Sequence, residues 1–151
     1  MLHGLRDDDR LGILHTDNGN PSIIAENLEP SEEITKTLVE TLSDGAVLSF
    51  GLESADPSVH EANWLNCDPA QLKTAIRLVN KHGSVRGERG LPKLLPGLNF
   101  IAGLNGESEA TYGMNMDLLR GIRSEGLLLR RINIRQVAVS YTHLTLPTMQ
   151  V

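Results

Sequence analysis

Thiols, net positive charge and long apolar runs are what this 151-residue chain has least of. A single cysteine, Cys67, excludes an internal disulfide and, within this chain, any site built from several thiolates; it also suits a reducing, cytoplasmic setting. The formal net charge of −5 and a pI near 5.5 leave sequence-independent nucleic-acid binding without electrostatic support. No apolar stretch approaches the roughly 18 residues of a membrane span. Charges between Arg6 and Arg10 break any leader-peptide pattern. What is present is the composition of one globular domain, 40% hydrophobic and 22% charged, with enough chain for an ordinary core.

The stretch Leu95 to Glu107, LPGLNFIAGLNGE, organises the rest. An apolar run (Leu98, Phe100, Ile101, Ala102) ends in a Gly103–Gly106 turn, and a helical pattern follows, so a buried strand is expected over Leu98–Leu104 and a helix from about Ser108 to Ser124. Glycine at such a strand end lets backbone approach a bound group, and the next helix offers free N–H groups. Upstream, LGILH (11–15) reads as a short buried strand and Ser22–Asn27 as a helical piece. A longer helix runs from Pro30 to Leu42 with Ile34, Leu38 and Leu42 on its apolar stripe. AVLSFGL (46–52) is a second buried strand, ending at Glu53-Ser54. Asp56-Pro57 and Asp68-Pro69 are N-cap and first-helical-position pairs, the second completed to a capping box by Gln71. Leu72, Ala75, Ile76 and Val79 face the core, and Gly83 is the expected helix stop. After a basic, Gly-rich connection and the central strand, the helix from Ser108 should bury Tyr112, Met116, Leu119 and Ile122, and Leu127–Val139 should be the last strand.

Strands alternating with helices imply a parallel α/β sheet with right-handed crossovers, here about four strands. They are too few to close an eight-stranded barrel, but they suit an open sheet or part of a larger barrel. The last twelve residues, SYTHLTLPTMQV (140–151), carry no charge and no helical period where a helix is due. They resemble a stretch found at the ends of unrelated assembled sequences and are expected to be non-native or disordered. Residues 1–139 then form one unit, and Met1 falls inside a helical pattern, as in a fragment.

Five runs together resemble radical SAM enzymes, specifically a mostly archaeal group carrying a C-terminal helix-hairpin-helix domain. They are LHTDNGNP (14–21), FGLESADPSV (50–59), ANWLNCDPAQLKTAIRLVN (62–80), RGERGLPKLLPGLNFIAGLNGE (86–107) and EGLLLRRINIRQV (125–137). The resemblance implies a (β/α)6 partial barrel of which this chain holds the C-terminal part. It further implies a [4Fe–4S] cluster on a C-x₃-C-x₂-C motif and S-adenosylmethionine as cofactors of the intact parent. None of those cysteines is present here, so the chain alone is expected to assemble no cluster and to be inactive. Asn105 departs from the family's turn residue.

The resemblance sets Gly103, Gly106 and Glu107 on the adenine side of the cofactor, backed by Phe100 and Ile101; the plain alternative is a strand–helix turn with an acid favouring the helix dipole. Glu53 and Ser54 end a strand on the same side, where a carboxylate can accept from ribose hydroxyls or the methionyl ammonium. Arg135 and Gln136 end the last strand, on which Arg131, Asn133 and Arg135 alternate with Ile132 and Ile134. A polar barrel interior of that kind suits an anionic substrate. His15, Asp17 and Asn18 are candidates for substrate contact; no further His or Cys at ligand spacing makes them a metal site. Arg86, Arg89 and Lys93 belong to a solvated loop away from the strand C-termini, Cys67 is structural, and Trp64 is expected to pack between layers. Two other readings stay open: a small α/β module binding a nucleotide or phosphorylated metabolite through the Gly103–Glu107 turn, and an inactive half-barrel that self-associates through open sheet edges.

Overall fold

The computed structural model describes residues 2–138; the tail from Ser140 lies outside them. Six helices and four strands follow one another: α1 Leu2–Arg6, β1 Asn18–Gly19, α2 Pro21–Glu26, α3 Leu28–Thr41, β2 Ala46–Glu53, α4 Pro57–Asn63, α5 Pro69–Gly83, β3 Leu94–Ala102, α6 Glu109–Ser124 and β4 Arg131–Gln136. Most starts are set by local chemistry. The Asn20, Asp56 and Asp68 side chains accept from backbone N–H groups of α2, α4 and α5, each with proline in the first turn, and the Asp68–Gln71 capping box is formed.

The four strands are all parallel and lie in the order β1-β2-β3-β4, without reversal. With right-handed crossovers, sequential order sends every connection to the same side of the sheet. The core agrees. Ala46, Leu48, Phe50 and Leu52 of β2 and Leu94, Leu98 and Phe100 of β3 cluster with Leu72, Ala75, Ile76 and Val79 of α5 and with Leu118 and Ile122 of α6. Ile24 of α2 and Leu38 of α3 pack on the same cluster. Each such side chain taken fully out of water stabilises the fold by about 1.5–3 kcal/mol. The opposite face holds Val47, Ser49, Gly51, Leu95, Gly97, Asn99, Ile101, Arg131, Asn133 and Arg135, and the core cluster draws on none of them.

Several expectations need correction. LGILH is no strand: Ile13 is 63% exposed, and the short first strand lies further on, at Asn18–Gly19. Ile34 is 60% exposed; α3 instead turns Ser31 and Thr35 inward, with the Thr35 hydroxyl donating to the Ser31 carbonyl at 2.7 Å. Tyr112 and Met116 face outward, and α6 buries Thr111, Leu118 and Ile122. The central strand begins earlier, at Leu94, and the last strand is shorter, Arg131–Gln136. Gly83 is not a left-handed stop but the last helical residue; β3 runs so close that a Cβ there would stand 2.0 Å from the Leu94 carbonyl oxygen.

Candidate active site at the strand C-termini

Glu53 ends β2 with φ +70, a left-handed conformation that costs a residue with a Cβ about 1–2 kcal/mol. The register of β2 against β3 slips between Gly51 and Glu53 at this point. The bulge turns the Glu53 side chain back over the strand, so that a Cβ on Gly51 would sit 2.5 Å from its Oε1. Burial pushes the carboxyl above its ordinary value, and the charge of Arg135 pulls it part of the way back. Strained backbone carrying a half-buried acid with no salt-bridge partner among the described residues is costly for stability and is characteristic of functional positions. Glu53 lines two adjoining hollows. One, of about 320 Å³, is walled by Asn18, Gly51, Asn99, Phe100, Ile101 and Arg135. The other, of about 470 Å³, is walled by Asn18–Pro21 and Trp64–Cys67.

Below the strand ends, the open face is a polar ladder. Ser49, Gly97 and Arg131 share one row, and the Arg131 guanidinium crosses Gly97 to donate to Ser49 Oγ at 3.0 Å. In the next row Asn133 Nδ2 donates to Asn99 Oδ1 at 2.9 Å. Ile101 and Arg135 form the row at the mouth. Asn99 was not singled out from the sequence, although an amide inside the apolar run LNFIA is a signal, since a buried amide needs a partner.

The Gly103–Glu107 turn is closed by its own groups. Gly103 (φ +90) and Gly106 (φ +84) both occupy left-handed backbone, and the Gly103 N–H donates to Glu107 Oε2 at 2.8 Å. The Tyr112 hydroxyl donates to the same oxygen at 3.2 Å, and that bond raises the tyrosine's pKa. The turn is tied to α4 as well, through Asn63 Nδ2 to the Asn105 carbonyl at 2.7 Å. At the start of α6, the Ser108 N–H donates to Thr111 Oγ1 at 2.9 Å. The N–H groups of Gly103 and Asn105 are thus taken, by Glu107 and by Asn63 Oδ1 at 3.3 Å.

The remaining candidates separate. Ser54 lies beneath Glu53, fully buried, accepting from the Asp56 N–H at 3.1 Å and bonded through its carbonyl to His60 Nε2; its place is structural. Phe100 borders the smaller hollow, yet its ring belongs to the helix-side core, whereas Ile101 lies on the open face. Alternation puts Gln136 on the side of Ile132 and Ile134, away from Arg135. Asn18 lines both hollows; His15 and Asp17 are exposed and line neither. Arg89 and Lys93 sit at the other end of the strands beside Asp44 and Glu88. Trp64 is not packed between layers. It caps α4 with φ +54, is 89% exposed and borders the larger hollow, a position marked in the sequence by its place in the loop region after the Glu53 strand end. Cys67 is buried, which pushes its thiol up to about 12, with Asp68 adding to the effect.

No family model matches the chain. It is 42% identical over 137 residues to an uncharacterised protein of Methanocaldococcus jannaschii, covering 91% of this chain and 25% of that protein. It is 45% identical over 130 residues to an uncharacterised protein of Archaeoglobus fulgidus, covering 86% of this chain and 25% of that protein. The chain thus spans about a quarter of the length of the curated relatives it matches.

Proposed function

We propose that this chain is the C-terminal part of a radical SAM (β/α)6 partial barrel, and that its strand ends supply part of the wall around S-adenosylmethionine and substrate. The observation that carries the reading is the uncovered polar face of a sequentially ordered parallel sheet. All-parallel sheets are found with both faces covered, by helices on either side or by closure on themselves. Here the core takes one face, and the other carries Ser49, Asn99, Arg131 and Asn133, poor material for packing helices but good lining for a barrel interior. Ligands of such barrels sit at the C-terminal strand ends, where Glu53, Ile101 and Arg135 meet.

S-adenosylmethionine fits the residues present. Glu53 would accept from ribose hydroxyls or the methionyl ammonium, Ile101 would offer an apolar contact, and Asn18 would add an amide. The iron–sulfur cluster does not fit: it needs three thiolates, and Cys67 is a single buried thiol held protonated. In an intact parent the bound cluster would supply the electron that generates a 5′-deoxyadenosyl radical for hydrogen abstraction; this chain's own part is binding and orientation. No helix among the described residues is long and apolar enough to cross a membrane.

Calorimetric titration of the chain with S-adenosylmethionine tests the reading. Saturable binding is expected, weakened at least about fivefold, or roughly 1 kcal/mol, by Glu53→Gln. Absence of binding by the folded chain would overturn it. In-frame DNA upstream of Met1 is expected to encode C-x₃-C-x₂-C within about 100–150 residues, one domain's length.

A further inference from the structure

We propose that the larger hollow beside Glu53 is a second ligand seat, and that it takes a primary ammonium carrying a flat aromatic group, the ammonium at the Glu53 carboxylate and the ring on the Trp64 indole. Its assignment to the substrate rather than the cofactor rests on the barrel reading above; the seat itself stands on the residues. Glu53 and Trp64 belong to different elements, the end of β2 and the C-cap of α4, yet both line this hollow of about 470 Å³. Among the described residues they are also the two that combine a Cβ with positive φ, +70 at Glu53 and +54 at Trp64. Left-handed backbone is unfavourable for any residue with a Cβ, and both instances converge on one hollow.

The lining decides the charge of the occupant. Among the described residues no lysine, arginine or histidine borders this hollow, and the ionisable group besides Glu53 is the Cys67 thiol, which burial keeps protonated. Arg135, whose charge acts on Glu53, lines the smaller hollow and not this one. A carboxylate without a salt-bridge partner, beside an indole whose π face attracts cations, selects a cation and disfavours an anion. Trp64 decides the shape. Its indole is 89% exposed, and the left-handed cap, with the Trp64 N–H donating to the His60 carbonyl, holds the residue at the rim. A flat ring laid on that indole would give it the apolar contact it lacks within the chain. Pro21, Leu52 and Leu65 add apolar wall, and the volume falls among small-molecule sites, about 300–1,000 Å³. A carboxylate has two oxygens and about four acceptor positions, so Glu53 can serve this hollow and the smaller one together.

Trp64 is the sole tryptophan of the chain, so its fluorescence reports on the seat directly. The test titrates the 151-residue chain at neutral pH with phenethylamine, which is then a cation, and with the neutral phenethyl alcohol. Phenethylamine should change the Trp64 emission saturably, and the alcohol should bind at least about fivefold more weakly. Glu53→Gln should weaken amine binding at least about fivefold, as should Trp64→Ala, which calorimetry follows in place of fluorescence. Glu40→Gln, which removes an exposed acid of α3 outside the hollow, should leave binding unchanged. Circular dichroism verifies that each variant is folded. No saturable binding of the amine by wild type, equal affinity for the alcohol, full affinity in Trp64→Ala, or an equal loss in Glu40→Gln overturns the proposal. So does displacement of the bound amine by S-adenosylmethionine, which would give the hollow to the cofactor. Amine binding without S-adenosylmethionine binding would sink the cofactor reading alone, and the reverse would sink this one alone.

Discussion

Replacing Glu53 by glycine should stabilise the fold while removing the function assigned to the site. The backbone at Glu53 has φ +70. That conformation costs a residue with a Cβ about 1–2 kcal/mol, and glycine relieves it. Glycine's greater freedom in the unfolded chain takes back about 0.5–1 kcal/mol. The net is a gain of about 0.5–1 kcal/mol before charge is considered. Charge adds in the same direction. Burial raises the folded-state pKa of Glu53, so the native state binds the proton more tightly than the unfolded state does. Stability contributed by this group is then present at low pH and lost as pH rises from the ordinary carboxylate value through the raised one. Glu53→Gly should therefore raise Tm by about 2–4 °C at pH 7, and by less at pH 4. Glu53→Gln, which removes the charge but keeps the strain, should recover only the pH-dependent part. Thermal and urea unfolding of the three proteins at both pH values is the assay. A loss of more than about 1 kcal/mol in Glu53→Gly would refute the reasoning, because it would make the strained acid a structural fixture of the β2 bulge.

Three other outcomes are expected. Gly83→Ala should destabilise by about 1–3 kcal/mol or prevent folding, since its Cβ would meet the Leu94 backbone at 2.0 Å; urea midpoints report it. Glu32, held at about 2 by Lys81 and then by His82, should contribute stability that is complete above its ordinary value of 4.5 and is lost as pH falls toward 2; Glu32→Gln should flatten the acid limb in that window. Ile134, 74% exposed on the edge strand β4, should promote self-association, so sedimentation velocity should show concentration-dependent oligomers that Ile134→Lys removes; identical profiles would clear this edge of the role.

What could be read from the sequence is what nearest neighbours decide. An aspartate followed by proline declares a helix start whatever packs on it, and Asp56 and Asp68 both cap where expected. β2 is legible because its inward residues Ala46, Leu48, Phe50 and Leu52 keep strict alternation. The helix phases that failed did so where a hydroxyl replaced an alkyl group in the core. Thr111 displaces Tyr112 and Met116 from the buried face of α6 because Asp56, an acid on α4's cap, accepts its hydroxyl at 2.6 Å. That bond comes first among the influences holding Asp56 below the usual carboxylate range. Hydrophobic periodicity cannot register such a partner, 55 residues away. β1 failed for a related reason. Its position is chosen by backbone pairing, with the Ser49 N–H donating to the Asp17 carbonyl at 2.9 Å, and by Gly19, where a Cβ would press on Phe50 at 3.0 Å; the more apolar LGILH offers neither.

The candidate site divides along the same line. That Glu53 and Arg135 lie at the C-terminal ends of their strands follows from counting along the chain, and that Arg131, Asn133 and Arg135 share a face follows from alternation. Which face it is does not follow, because a strand of this length reads the same from both sides. The register decides it. Gly97 stands opposite Arg131, and Ser49 stands opposite Gly97, so the one residue without a side chain lies between the guanidinium and the hydroxyl that holds it. A one-residue slip of β4 would turn Arg131 into the helix-side core and Ile132 out to the polar rows. Gly97 is therefore as informative about the open face as the arginines are. Gly97→Ala should displace Arg131 from Ser49 and destabilise the sheet by about 1–3 kcal/mol, because its Cβ would stand 2.9 Å from Val47 Cγ1; urea unfolding reports the loss, of which Arg131→Gln should reproduce only a part.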